Sequence, residues 1–270
     1  MRFIYISGEI KIMNPEDIEN IVDIVPEKSR NALFESPLRS IGYAINGFIN
    51  LKLGPLIELG AVSDASIKSL AESVNEKAQK WDKENIDHSK LGLSLKAIDE
   101  VGYQIENETL REMFANLIAK SVDKKQNLNS SPLMLSTLTS MSPESAEFLS
   151  DWHNEFPDNV STLNQIDREV IQEENVIGST PILQNIVIFN DLSVRHNEYV
   201  VDELNHLGIF ELHLDGTLTA DLWQQHYEVA KRMVDNQFSL LQNENQKIVA
   251  KHGFIRLSPF GASFIRLLLD

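Results

Sequence analysis

Up to about residue 156 the apolar side chains recur every three or four positions, the spacing that lines one face of an α-helix. Leu38, Ile41, Ile45, Phe48 and Ile49 form one such stripe. Ile67, Leu70, Ala71, Val74 and Ala78 form a second, with Asp64 as its predicted cap. Leu93, Leu95, Ala97, Ile98 and Val101 begin a third. The most regular stretch is "ENETLREMFANLIAKSVD", residues 106–123. On a helical wheel Leu110, Met113, Phe114, Leu117, Ile118, Ser121 and Val122 share one half, and Ala115 and Ala119 extend it. Asn107 can cap its start, Glu108 suits its positive end, and Lys120, Lys124 and Lys125 suit its negative end. This is the pattern of a central core helix. Ser131-Pro132 and Ser142-Pro143 each read as a cap followed by Pro at the first helical position. The second opens a face of Ala146, Leu149, Trp152 and Phe156.

The pattern changes after residue 156. Residues 157–180 are acidic and weakly periodic, and read as a connecting segment. Beyond them "PILQNIVIF" is a strand or a short buried helix. "HNEYVVDELNHLG" is a helix with Val200, Leu204 and Leu207 inward and Gly208 closing it. "IFEL" and "FIRLS" are two short strands, and Ser258-Pro259 starts a last helix with Phe260, Phe264 and Leu268 inward. Between the strands Trp223, Tyr227, Ala230, Val234 and Leu241 have helical spacing. The predicted fold is mainly α: a helical domain over 1–156, a connection over 157–180, and over 181–270 a winged-helix-like α+β module with a short two-stranded hairpin. The opening "MRFIYISGEIKI" alternates like an edge strand, or is extra chain ahead of a start at Met13; "NPED" after it is a helix-start pattern.

Composition narrows the chemistry. The chain has 270 residues, 42% hydrophobic and 24% charged, as in an ordinary globular protein. It has no cysteine, which removes disulfides, thiol catalysis and thiolate zinc sites and fits a reducing cytoplasm. The opening is too short in apolar residues for a signal peptide. Net charge is -16, with 16 basic and 22 acidic groups in residues 1–150 and 8 and 18 in residues 151–270. That balance disfavours phosphate backbones and anionic membranes. The segment in the recognition-helix position, 196–207, carries Glu198, Asp202 and Glu203 and neither Lys nor Arg, so nucleic-acid binding is not expected.

The best membrane candidate, 38–62, has only 12 uncharged residues between Arg39 and Lys52. A spanning helix needs about 18 or more. Its glycines at 42, 47 and 54 suggest close approach of a partner helix instead. The seven histidines form no HxxxH or HExxH pair. No phosphate loop, dinucleotide fingerprint or nucleophile elbow is present. No metal, cofactor or catalytic residue is therefore predicted. Two residues of 106–123 stand out as candidate partner contacts. Arg111 must carry its stem across apolar surface, and Asn116 lies on the opposite face beside Ala119 and Glu112.

These segments together resemble a known family. "ENETLREMFANLIAKSVD" followed by "SPLMLSTLTSMSPESAEFL" is similar to the bacterial Abi-alpha (abortive infection alpha) family. The upstream "LFESPLRSIGYAI", with Pro37 and Gly42, and the later "ELNHLGIFEL" and "RLSPFGASFI" match its remaining signatures. Met141 stands where a Leu is commoner, and the segment after Gly216 has no counterpart. The resemblance implies an association with phage defence, with no established chemistry and no catalytic residues to carry over. The expectation is a non-enzymatic protein that binds a protein partner or itself, with a nucleic-acid-binding regulator and a membrane-perturbing effector using 38–62 as rivals.

Overall fold

The computed structural model describes residues 3–6, 9–12, 37–81 and 85–270. The chain divides into two compact units: residues 1–106 with 114–128, and residues 107–113 with 129–270. The helix-start pattern at 14–17, and the side chains of Leu38 and Ile41, lie outside what is described.

In the first unit β1 (Phe3–Ile6) and β2 (Glu9–Ile12) pair antiparallel. Helices α1 (Pro37–Glu58), α2 (Asp64–Ala78) and α3 (Leu91–Glu100) follow. Ser63 caps α2 by accepting from the Ser66 amide, which puts Asp64 at the first helical position rather than at the cap. Most stripe positions read from the sequence are buried, namely Ile45, Ile49, Ile67, Leu70, Val74, Ala78, Ala97, Ile98 and Val101, while Phe48, Ala71, Leu93 and Leu95 are half-buried. The glycines of α1 are not needed for close packing. A Cβ at Gly42 would make ordinary contact with α2, and Gly47 and Gly54 face open space.

Helix α4 (Glu108–Ser121) is the patterned stretch. Asn107 caps it through a 3.0 Å bond from the Leu110 amide. Leu110, Met113, Phe114, Leu117, Ile118 and Val122 are buried, as are Ala115 and Ala119. From Phe114 onward it belongs to the first unit, where the Ser94 hydroxyl donates to the Ile118 carbonyl and ties α3 to it.

The second unit corrects the mainly-α, winged-helix expectation. Helices α5 (Pro132–Thr139) and α6 (Pro143–Glu155) start as read, with Ser131 and Ser142 accepting from the Met134 and Ser145 amides. Then β3 (Val160–Gln172) and β4 (Asn175–Ile188) form a long antiparallel hairpin where a connecting segment was predicted. With β5 (Val194–His196), β6 (Phe210–His213) and β7 (Gln246–Leu257) they make a five-stranded antiparallel sheet in the order β5-β4-β3-β7-β6. A two-stranded hairpin would leave the Ile166, Ile186 and Ile248 side chains half-covered; across three long strands they close into one cluster with Val234.

Helix α7 (Glu198–His206) takes the place assigned to a recognition helix, but its carboxylates are spent inside the unit. Glu203 accepts from the Ser142 amide and hydroxyl and from the Ser145 hydroxyl, so it caps α6 from outside. Asp202 accepts from Asn185, and Glu198 from the Gln184 amide. Helix α8 (Asp221–Met233) runs on through a π-turn, 234–238, and lies against β3 and β7. Leu241, expected inward, is exposed. Helix α9 (Pro259–Leu268) closes the chain with Phe264 and Leu268 buried. An aromatic cluster of Phe148, Trp152, Phe156, Phe189, Phe210 and Trp223 fills the core near the α6 end.

Candidate interaction surface on the sheet

Two signature segments meet here. Gly208, at φ +74°, ends α7 in the left-handed region that glycine tolerates best. The next residue, Ile209, turns its carbonyl onto the start of α9, where it accepts from the Ser258 amide at 2.9 Å. A Cβ at Gly261 would collide with that same carbonyl. Ser258 caps α9 through the Gly261 amide and also donates to the Gly208 carbonyl. "HLGIFEL" and "RLSPFG" are therefore the two halves of a clasp, and their residue types answer to backbone approach rather than to a ligand.

Arg111 and Asn116 are both half-buried on α4. Five positions apart, they point roughly 140° away from each other. The helix does not bring them together.

Among the described residues the sheet strands hold half of the buried polar residues of the second unit: Ser161, Thr162, Asn164, Asp167 and Asn185. On one face Asp167, 2% exposed, accepts from Lys251 at 2.7 Å, Ser179 at 2.6 Å and Gln165 at 2.6 Å. Burial is the largest influence on this carboxyl and favours the neutral form. The three hydrogen bonds and the Lys251 charge together outweigh it and hold the pKa below its ordinary value. Lys251 is correspondingly raised, chiefly by the Asp167 bond. Its Nζ also donates to the Ser179 hydroxyl at 2.9 Å. A Ser-Lys pair that activates a hydroxyl needs a neutral amine. This lysine is held charged, so the trio acts as a tie across β4, β3 and β7.

On the other face α8 covers a second polar group. His226 is fully buried, its Nδ1 3.4 Å from the Thr162 hydroxyl and its Nε2 without a hydrogen-bond partner. Desolvation lowers its pKa, and Glu155 only partly opposes that. His252 lies 2.9 Å from the Asn164 carboxamide oxygen and is lowered by burial first and by Lys231 second, with Glu228 opposing. Tyr227 accepts from the Leu218 amide, donates to the Gly253 carbonyl, and is raised by burial. These contacts hold α8 and the 213–220 loop on the sheet. A Cβ at Gly253 would collide with the His213 carbonyl, so the loop crosses the sheet in direct backbone contact. A hollow of about 200 Å³ beside it is lined by Leu163, Gln165, Leu214, Asp215 and Lys251. Among the described residues no three of His, Asp or Glu converge as metal ligands.

The far end of the sheet is different. Strands β5 and β6 pair only with Ile186–Ile188 and Phe254–Leu257, so beyond them the sheet is three strands wide. At that end Val176 is 54% exposed, Ile177 60% and Leu240 97%, with Val170 and Leu241 also exposed. The β3–β4 turn places Glu173 and Glu174 at φ +51° and +66°, a two-residue turn that Asn-Gly serves with less strain. The 239–245 loop lies alongside it, with the Ile171 amide donating to the Asn245 carbonyl at 2.9 Å. Sequence reasoning missed this surface because it took 157–180 as a connection. The clue was the β-branched content of Val160, Ile166, Val170, Ile171, Val176 and Ile177.

Taken together these features define an α+β protein whose polar clusters tie its own elements together and whose apolar side chains break through at one end of a sheet. The sequence model of the family described as Abortive infection alpha matches residues 62–268, and the chain belongs to that family. No curated protein and no solved structure matches it. Among the described residues no helix is long and apolar enough to cross a membrane.

Proposed function

We propose that this member of the abortive infection alpha family acts in phage defence from the cytoplasm, without chemistry of its own, by binding a protein partner. The observation that carries the reading is the cluster of exposed apolar side chains at the end of the sheet. Patches of that kind on an otherwise polar surface mark interaction sites. The protonated Lys251 supports the non-enzymatic part, because the one hydroxyl-lysine pair of the sheet is in the wrong charge state for a nucleophile. Net charge and the committed carboxylates of α7 weigh against a nucleic-acid role. The test is phage challenge of cells with and without the protein. Reduced plating on expressing cells is expected; equal plating efficiency across a broad phage panel contradicts the reading.

A second reading rests on the end of α1, where Leu51, Ile57 and, just past the helix, Leu59 are exposed. Exposed apolar side chains at a helix end suit a membrane-perturbing effector. Dye release from anionic phosphatidylserine-containing liposomes discriminates it. Absence of leakage at micromolar protein removes this option, and leakage that disappears on Leu59→Ser favours it.

A further inference from the structure

Resting on the partner-binding reading above, we propose that the free end of the sheet docks an extended, basic segment of another protein. Three observations select this occupant. The first is shape. β5 covers β4 only at Ile186–Ile188, so among the described residues the outer edge of β4 from Asn175 to Gln184 carries no strand. An open edge accepts an extended chain through backbone hydrogen bonds. Pro181 has no N–H to offer, and the Gln184 amide is already taken by Glu198, which confines the free edge to the half nearest the turn. The second is apolar content. Val176 and Ile177 stand on that half, both more than half exposed, where they can meet alternate side chains of the incoming segment.

The third is charge, which decides between occupants. Glu173 and Glu174 at the turn and Glu244 on the adjoining loop have no ion-pair partner among the described residues. Glu169 is different, since Lys251 approaches it at 3.9 Å and Lys247 stands opposite it on β7. Arg168 and Lys247, the cations near the end, have no ion-pair partner among the described residues either, so three unpaired carboxylates stand against two unpaired cations and the balance is acidic by one charge. A second copy of this chain would bring the same carboxylates and a net charge of -16 against its twin, and an anionic bilayer would be repelled in the same way. A basic segment meets no such penalty.

The turn supplies a clean variant. Glu173→Asn with Glu174→Gly removes both carboxylates and installs the residues a two-residue hairpin turn prefers, so the fold is retained. The probe is a short fluorescein-labelled peptide of alternating Lys and Leu, read by fluorescence anisotropy, with a Glu-Leu peptide of equal length beside it. The wild-type chain is expected to bind the Lys-Leu peptide saturably and more weakly as salt rises. The turn variant should weaken binding by about tenfold or more, and Val176→Thr with Ile177→Thr should also weaken it. Glu72→Gln with Glu76→Gln, exposed on α2, makes the same change in net charge and should not. Equal loss in both charge variants, no loss in the turn variant, or equal binding of the Glu-Leu peptide overturns the proposal. Light scattering that shows self-association abolished by the turn variant also overturns it, in favour of a second copy. Phage challenge separates the two levels. If the wild-type chain protects and the turn variant protects equally, the surface is wrong and the defence reading stands. If the wild-type chain does not protect, the defence reading falls and the peptide titration still judges the surface.

Discussion

The two units of this chain are held together in different ways. In the helical unit the stripes of α1 to α4 bury Ile, Leu, Val and Phe. Among the described residues most of its buried polar ones are serines, such as Ser94 and Ser121, which donate to helix carbonyls. The Asp87 carboxylate stays nearer the surface. It accepts from the Ser89 amide and hydroxyl and from Asn127 in an exposed turn, which lowers its pKa. In the sheet unit polar side chains enter the core itself: Ser161, Thr162, Asn164, Asp167 and His226 are all buried. Apolar burial is indifferent to pH and tolerant of position, whereas a buried polar group is stabilising only while each partner is present. The helical unit should therefore lose stability mainly through cavities, and the sheet unit also through charge.

The largest expected effects probe the apolar side of that contrast. Trp152→Ala empties the aromatic cluster and strips the Ser161 hydroxyl of its 2.7 Å donor. It should cost about 3–5 kcal/mol. Leu117→Ala in α4 should cost about 2–5 kcal/mol by cavity formation alone. Denaturant unfolding followed by segment-resolved hydrogen exchange checks both, and a neutral Leu117→Ala would end the reading of α4 as a core helix.

A smaller effect is expected at Asp167. Asp167→Asn withdraws the carboxylate from Lys251, Ser179 and Gln165 together and should cost about 1–3 kcal/mol. The loss should appear in exchange of β3, β4 and β7 while α2 and α3 keep their protection. Equal loosening of α2 and α3 would break the comparison.

Acid sharpens it further. Burial depresses His226 and His252 below the ordinary value of 6.5, so the folded state binds fewer protons than the unfolded one. Their contribution is complete above about pH 6.5 and is lost as pH falls from there toward the depressed folded values. The carboxylates Asp167 and Asp87 are also lowered, so their contribution is complete above about pH 3.8 and is lost as pH falls from there toward the lowered folded values. Mild acid between those windows should loosen α8 and the sheet selectively, and His226→Leu should reduce that sensitivity. The smallest change is at the turn, where Glu173→Asn with Glu174→Gly should raise stability by about 1 kcal/mol through relief of left-handed backbone.

The same contrast explains what could be read in the chain. The helices of both units were legible because period and burial coincide: every apolar position on the α4 wheel is buried, and in the second unit Asn107, Ser131, Ser142 and Gly208 sit where caps were expected, whereas in the first the cap is Ser63 rather than Asp64. The hairpin was illegible for a physical reason. Over β3, Asn164 and Asp167 are buried polar residues, while Val170 near the turn is exposed, so the alternation that marks a strand is erased. Its turn carries Glu-Glu in place of Asn-Gly and gives no hairpin signal. β7 was half seen, because "FIRL" alternates while "QKIVAKHG" carries Lys and His among its apolar positions. The surface proposed for docking lies on that unread hairpin, so Val176 and Ile177 were not among the candidates read from the sequence.

Everything proposed for the end of the sheet depends on residues 157–180 being a folded hairpin. Amide hydrogen exchange of the full chain at neutral pH tests that most directly. The account predicts strong protection at Leu163 and Ile166 and at their β7 partners Gly253 and Ala250, with fast exchange confined to the turn around Glu173 and Glu174. Fast exchange throughout 157–180 would contradict it and return that segment to a linker.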